Sequence, residues 1–143
     1  MKRENPDSIQ GSLPHPVIVA HGKRLKLDVE ASTGGAVVLH CQGRIIFGPE
    51  ARTLTKVVAD VLPSTRRMIV DLAGVDAIDS AGLGELVLLH MWAEAARYKL
   101  KFASPRKAVR QLLELTNLAS VLETYSSVAE AMSAMWDEEV MTA

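Results

Sequence analysis

Apolar residues change their period several times along this chain, and each change marks an element. From Leu25 to Val29 they alternate with polar residues (Leu25, Leu27, Val29), the period of a half-buried strand. Ser32, Thr33, Gly34 and Gly35 then supply turn chemistry ahead of Ala36, Val37, Val38 and Leu39, which predicts an antiparallel hairpin. After Gly43 and a second break at Gly48 and Pro49, the spacing of Ala51, Leu54, Val57, Val58, Val61 and Leu62 predicts a helix that stops before Pro63. Met68 to Leu72 is short, β-branched and bounded by charge, so it predicts a buried strand.

Ser80 to about Arg97 predicts a second helix, with Leu83, Leu86, Val87, Met91, Ala95 and Tyr98 as its core stripe. Leu100, Phe102 and Ala103 predict a strand. Ser104 and Pro105 open a third helix whose apolar face is Val109, Leu112, Leu113 and Leu115, ending at Asn117. Val121 to Tyr125 predicts a last strand, and Ser127 opens a terminal helix through Val128, Ala131, Met132, Met135 and Trp136. Two successive strand-helix-strand units require parallel pairing through right-handed crossovers, while the hairpin is antiparallel. The expectation is an α/β domain over residues 25–143: a mixed β-sheet of four to five strands flanked by about four helices. Residues 1–24, with Pro6, Gly11, Pro14 and Pro16, are expected to form a flexible N-terminal tail, in which Val17 to Ala20 is a short apolar patch.

Composition narrows the function. The 143 residues suit one domain, and 48% hydrophobic with 23% charged residues is globular rather than disordered. Sixteen Lys and Arg against seventeen Asp and Glu give a net charge of -1, which argues against nucleic-acid binding. One cysteine, Cys41, forms no internal disulfide and no zinc cluster, which fits a reducing cytoplasm. With no apolar run of membrane-spanning length and no export signal, neither membrane insertion nor export is expected.

The segment most able to carry chemistry is the predicted loop from Asp71 to Gly84, at the carboxyl end of a strand, where ligands of α/β sheets gather. Ser80 stands where a helix begins. It reads as an N-cap or, alternatively, as a site where phosphate would meet the positive end of the helix dipole, with Asp79 beside it to repel that phosphate. Gly82 and Gly84 lie inside the predicted helix without the Lys-Ser/Thr of a phosphate loop, so close packing accounts for them better than nucleotide binding. His40 and Cys41 point to opposite faces of a strand and form no catalytic pair, and His90 reads as a packing residue. Asp71, Asp76 and Asp79 read as caps and solvated charge before they read as a cation site, so no metal or cofactor is expected. Opposite the core stripe, Glu85, Leu88, Leu89, Trp92 and Ala96 recur at helical steps. They are covered by another helix or serve as an interface with Leu88 and Trp92 as anchors.

Asp71 to Gly84 resembles the phosphorylation-loop signature of STAS domains, the fold of bacterial anti-sigma factor antagonists. Similarity continues through Ser104, Pro105, Arg106, Val109, Arg110, Leu113, Glu114, Leu115 and Thr116 and into Leu122 to Met132, about residues 25 to 137. The resemblance implies a non-enzymatic module. Its partner is a serine kinase that is also an anti-sigma factor, bound when the loop serine is unphosphorylated and lost on phosphorylation, with a serine phosphatase resetting the switch. By position that serine is Ser80, in a loop made of Asp76, Asp79, Ala81, Gly82, Leu83 and Gly84, with Arg44, Glu85, Leu88 and Trp92 expected to face the partner. Ala81 stands where the family often has a second hydroxyl, and Gly43, Arg44, Ile45, Ile46 where it commonly reads Gly, Glu, Leu, Asp, so the kinase-facing surface has its own charge. The alternative is a constitutive scaffold subunit of a stress-signalling assembly or of a lipid-transport ATPase complex. An enzyme ranks third, resting only on the aspartates.

Overall fold

The computed structural model describes residues 17–21 and 24–142. Its sheet holds six strands in chain order across the sheet: β1 (Val17–His21), β2 (Leu25–Ala31), β3 (Val37–Ile45), β4 (Arg67–Ile78), β5 (Lys99–Ala103) and β6 (Thr124–Tyr125). The first three are antiparallel, and β3 through β6 are parallel. Helices α1 (Pro49–Thr65), α2 (Ser80–Ala96) and α3 (Lys107–Leu115) are the crossovers, and α4 (Val128–Thr142) closes the chain. The expected mixed-sheet α/β domain with four helices is therefore present.

The sheet gains one strand over the sequence reading, because Val17–His21, placed in the tail, pairs with β2. Its four apolar residues lack the alternation that marks a half-buried strand. The remainder of that tail, residues 1–16 with 22 and 23, lies outside the described residues. At the other end of the sheet, the predicted strand over 121–125 contracts to Thr124–Tyr125, and the residues before it form turns.

Two breaks expected from glycine and proline do not occur. The third strand runs through Gly43, whose φ of 118° is one that side chains rarely adopt; a Cβ there would lie 2.0 Å from the Arg24 carbonyl oxygen. Because β3 continues to Ile45, β4 has a neighbour to pair with as far as Ile78, so most of the predicted Asp71–Gly84 loop is strand. Likewise α1 passes through Pro63 in its last turn, and Arg66 closes that turn in the left-handed conformation, donating its N–H to Leu62 O at 2.6 Å. Helix α3 begins at Lys107, with Arg106 rather than Ser104 at the N-cap.

Strand alternation divides the core. Leu25, Leu27, Leu39, Cys41, Met68, Val70, Leu72 and Phe102 face α1, α2 and α3 and meet Leu54, Val58, Leu62, Leu86 and Leu113. On the opposite face α4 buries Ala131 and Met135 over Ile69 and Ala103. Ser127 caps it as expected, accepting from Glu130 N–H at 3.0 Å.

Candidate functional site

The carboxyl end of β4 delivers Asp79 and Ser80 to the start of α2. Asp79 is the N-cap, with its Oδ1 accepting from Gly82 N–H at 2.8 Å. The sequence reading gave Ser80 that duty. In the structure Ser80 is the first helical residue, exposed, with the cap supplied from the position before it. An aspartate in extended conformation reaches the N3 amide as well as a serine does, and its charge complements the helix dipole. Asp79 Oδ2 also accepts from Phe47 N–H at 2.9 Å, across the β3–α1 loop. The N–H groups of Gly82 and Phe47 hold its carboxyl below the ordinary carboxylate range.

Of the two helix glycines, Gly82 is there for packing: a Cβ would lie 1.9 Å from the Ile45 carbonyl oxygen, so the first turn of α2 rests directly on the end of β3. Gly84 corrects the expectation. Nothing lies within 4 Å of its ideal Cβ, and it borders a cleft of about 570 Å³ with Phe47, Ala51, Arg52, Ala81 and Leu88. Phe47 is 77% exposed and Leu88 60% exposed, so the cleft next to Ser80 has an apolar rim.

The face of α2 is rotated from the predicted one. Leu89 is buried in the core, while Met91 and Ala95, assigned to the core stripe, are exposed. Trp92 is half-buried and meets Tyr98 edge-on with ring centroids 5.4 Å apart, so it supports the shoulder of the face instead of projecting from it. Glu85 is tied to α1 through a 2.5 Å bond from the Thr55 hydroxyl. Leu88 and Arg44 are exposed, Arg44 in the strand end that pairs with Ala77.

The aspartates grouped by sequence are engaged separately. Asp71 lies on the sheet face away from α1 and α2, Asp76 pairs with Arg106, and Asp79 caps α2. No cluster of three metal-ligating side chains occurs among the described residues. Arg106 also donates to Ala73 O at 2.9 Å, fixing the β4 bulge region to the start of α3. Cys41 is buried, and burial, reinforced by Asp71 and Asp28, pushes its thiol pKa up, away from nucleophilic chemistry.

Sequence reasoning missed Phe47 and the Asp79 bridge to it. A signal for Phe47 existed: Gly48 is the α1 N-cap and Pro49 its first residue, so Phe47 occupies the position that usually packs on the fourth helical residue, here Arg52. Without an apolar partner there, the ring stays outside.

Residues 28–131 match the STAS domain family. The chain belongs to the STAS domain family. A putative anti-sigma factor antagonist from Thermotoga maritima is 24% identical with a TM-score of 0.68, over 76% of this chain and 92% of that one. The Bacillus anti-sigma factor antagonist SpoIIAA, in its unphosphorylated form, is 16% identical with a TM-score of 0.64, over 78% and 96%. A sulfate transporter family protein from Wolinella succinogenes shares the fold at 19% identity and a TM-score of 0.61, over 73% and 86%. In this chain no helix of the described residues is long and apolar enough to cross a membrane.

Proposed function

We propose that this STAS domain is a cytoplasmic anti-sigma factor antagonist, a protein-binding module that sequesters a serine kinase acting as an anti-sigma factor while Ser80 is unphosphorylated. The observation that carries the reading is Ser80 itself: exposed, relieved of capping by Asp79, and placed beside the apolar cleft of Phe47, Ala81 and Leu88. In the switching step the Ser80 hydroxyl oxygen attacks the terminal phosphorus of a nucleoside triphosphate held by the kinase. The new O–P bond forms as the bond to the nucleoside diphosphate breaks, and the hydroxyl proton passes to a base of the kinase. A phosphatase reverses the state by directing water at the same phosphorus, releasing inorganic phosphate.

Phosphate at this point adds about -1.5 to -2 of charge to the rim of an apolar cleft, and a partner that buries the rim must then desolvate that charge. Leu88, Phe47 and Arg44 are the contacts proposed to face the partner, with Glu85 and Trp92 holding the surrounding helix face in place. This function uses no catalytic residue and no cofactor of the antagonist itself.

The test is capture from native cells with wild type, Ser80→Ala and Ser80→Asp as baits, each bound kinase being identified by mass. Wild type and Ser80→Ala are expected to retain the kinase and Ser80→Asp to lose it by about tenfold or more, the scale of one unpaired interfacial charge. Equal capture by all three would defeat the switch. It would favour a constitutive scaffold.

A further inference from the structure

The two oxygens of Asp79 serve different elements. Oδ1 holds Gly82 N–H within α2, at 2.8 Å, and Oδ2 holds Phe47 N–H in the β3–α1 loop, at 2.9 Å. One carboxylate therefore joins the helix turn that carries Ser80 to the loop that carries the exposed Phe47 ring. The loop backbone is further fixed on the strand side, where Asp79 N–H donates to Ile45 O at 3.4 Å, and Gly82 leaves no room between α2 and that carbonyl. The Ser80 side chain stands next to this junction, at a helix end whose first amides have no partner within the helix.

We propose that Asp79 is a positioning residue that carries the phosphorylation state of Ser80 to Phe47: phosphate competes for the amides at the start of α2, repels the Asp79 carboxylate, and so loosens its hold on the Phe47 N–H. The inference rests on the reading of Ser80 as the modified residue and adds the route by which modification changes the apolar rim. The chemistry favours competition. A phosphate presents three strong acceptor oxygens to the same donors, and two adjacent anions at one helix N-terminus repel each other. The Asp79 carboxyl is held low by Gly82, Phe47 and Ala81 amides, so it remains an anion when the phosphate arrives. With the N–H bond released, the loop between Ile45 and Pro49 loses a charge-assisted anchor, and the ring no longer keeps one position on the cleft.

The experiment is amide solvent exchange by NMR on the full chain, with phosphoserine placed at position 80 during translation, in wild type, Asp79→Ala and Asp79→Asn backgrounds. In wild type, phosphate is expected to speed Phe47 amide exchange by about tenfold, the scale of losing one hydrogen bond to a charged acceptor. The Phe102 amide in β5 should be unaffected. In Asp79→Ala the Phe47 amide is expected to exchange fast already, and phosphate to add nothing. Asp79→Asn keeps one acceptor oxygen for the helix cap and gives the same readout if the alanine variant folds poorly. Phosphate that leaves Phe47 exchange unchanged in wild type overturns the route, as does a phosphate effect that persists without the Asp79 carboxylate. Because no partner or cellular kinase enters the measurement, kinase release on phosphorylation with an unmoved Phe47 amide sinks this route alone and leaves the Ser80 switch standing.

Discussion

His40 is held between two carboxylates: Nδ1 lies 2.7 Å from Asp71 Oδ2 and Nε2 lies 2.7 Å from Glu30 Oε1. Ionised carboxylates only accept, so both ring nitrogens must donate, which is possible only for the imidazolium. Burial pulls the His40 pKa down, but the Glu30 and Asp71 hydrogen bonds and charges outweigh it, and the net direction is up from 6.5. Asp28 and Arg106 line the same polar groove. The folded state therefore binds the proton more tightly than the unfolded state. Its stabilisation is complete below the unfolded value and is lost as pH rises through the raised folded value. Urea midpoints of wild type and His40→Gln should then converge as pH rises from below the unfolded value of 6.5 through the raised folded value. A gap that stays constant or widens over that range would show that His40 is not the titrating link. Part of this was legible, since alternation put His40 and Cys41 on opposite faces. The carboxylate partners were not, because Glu30 and Asp71 reach His40 only through the register of three strands, set by the hairpin turn and a parallel crossover. Ser80 was misread as the cap for a similar reason. Both Asp79 and Ser80 can cap a helix, and the choice depends on which residue is still extended when β4 ends.

At the scale of elements, the helix start at Gly48-Pro49 and the cap at Ser127 were readable because each depends on local backbone chemistry. The predicted face of α2 failed because the helix is apolar nearly all round, leaving its period with little contrast from which to choose a core side. Its two glycines, alike in sequence, differ in what surrounds them. Gly82→Ala must push a methyl group against the Ile45 carbonyl and is expected to destabilise by about 3 kcal/mol, the upper end for overpacking. Gly84→Ala faces open space in a helix interior and should stabilise by about 0.5–1 kcal/mol through reduced chain entropy. Denaturant midpoints of the two variants check the pair. If Gly82→Ala proved the milder substitution, the contact between α2 and the end of β3 would be wrong.

Across the whole molecule, the sheet separates the work of its two faces. One face carries α1 and α2 and the cleft beside Ser80, while the other is covered toward β4 and β5 by α4. Helix α4 is secured by Met135 and Ala131 over Ile69, by Lys101, 1% exposed and paired with Glu123 and Glu138, and by Arg67, which binds Glu139 through two nitrogens and lies 4.9 Å from the Trp136 ring centroid. A parallel β4 and β5 with helices on both faces follows from the chain order, but which helix takes which face depends on crossover geometry that hydrophobic period does not encode. The separation predicts that damage to α4 weakens the fold without altering the site. Met135→Ala removes buried methylene groups from the smaller cluster and is expected to cost about 3 kcal/mol. For a domain of this size that lowers the thermal midpoint by roughly 10 °C. At temperatures where the variant remains folded, Phe47 amide exchange should match wild type and still respond to phosphoserine at position 80, because the junction that responds lies across the sheet. A Phe47 amide already loosened by Met135→Ala in the folded protein would mean that the two faces are coupled through β4, and that α4 belongs to the switch as well as to the fold.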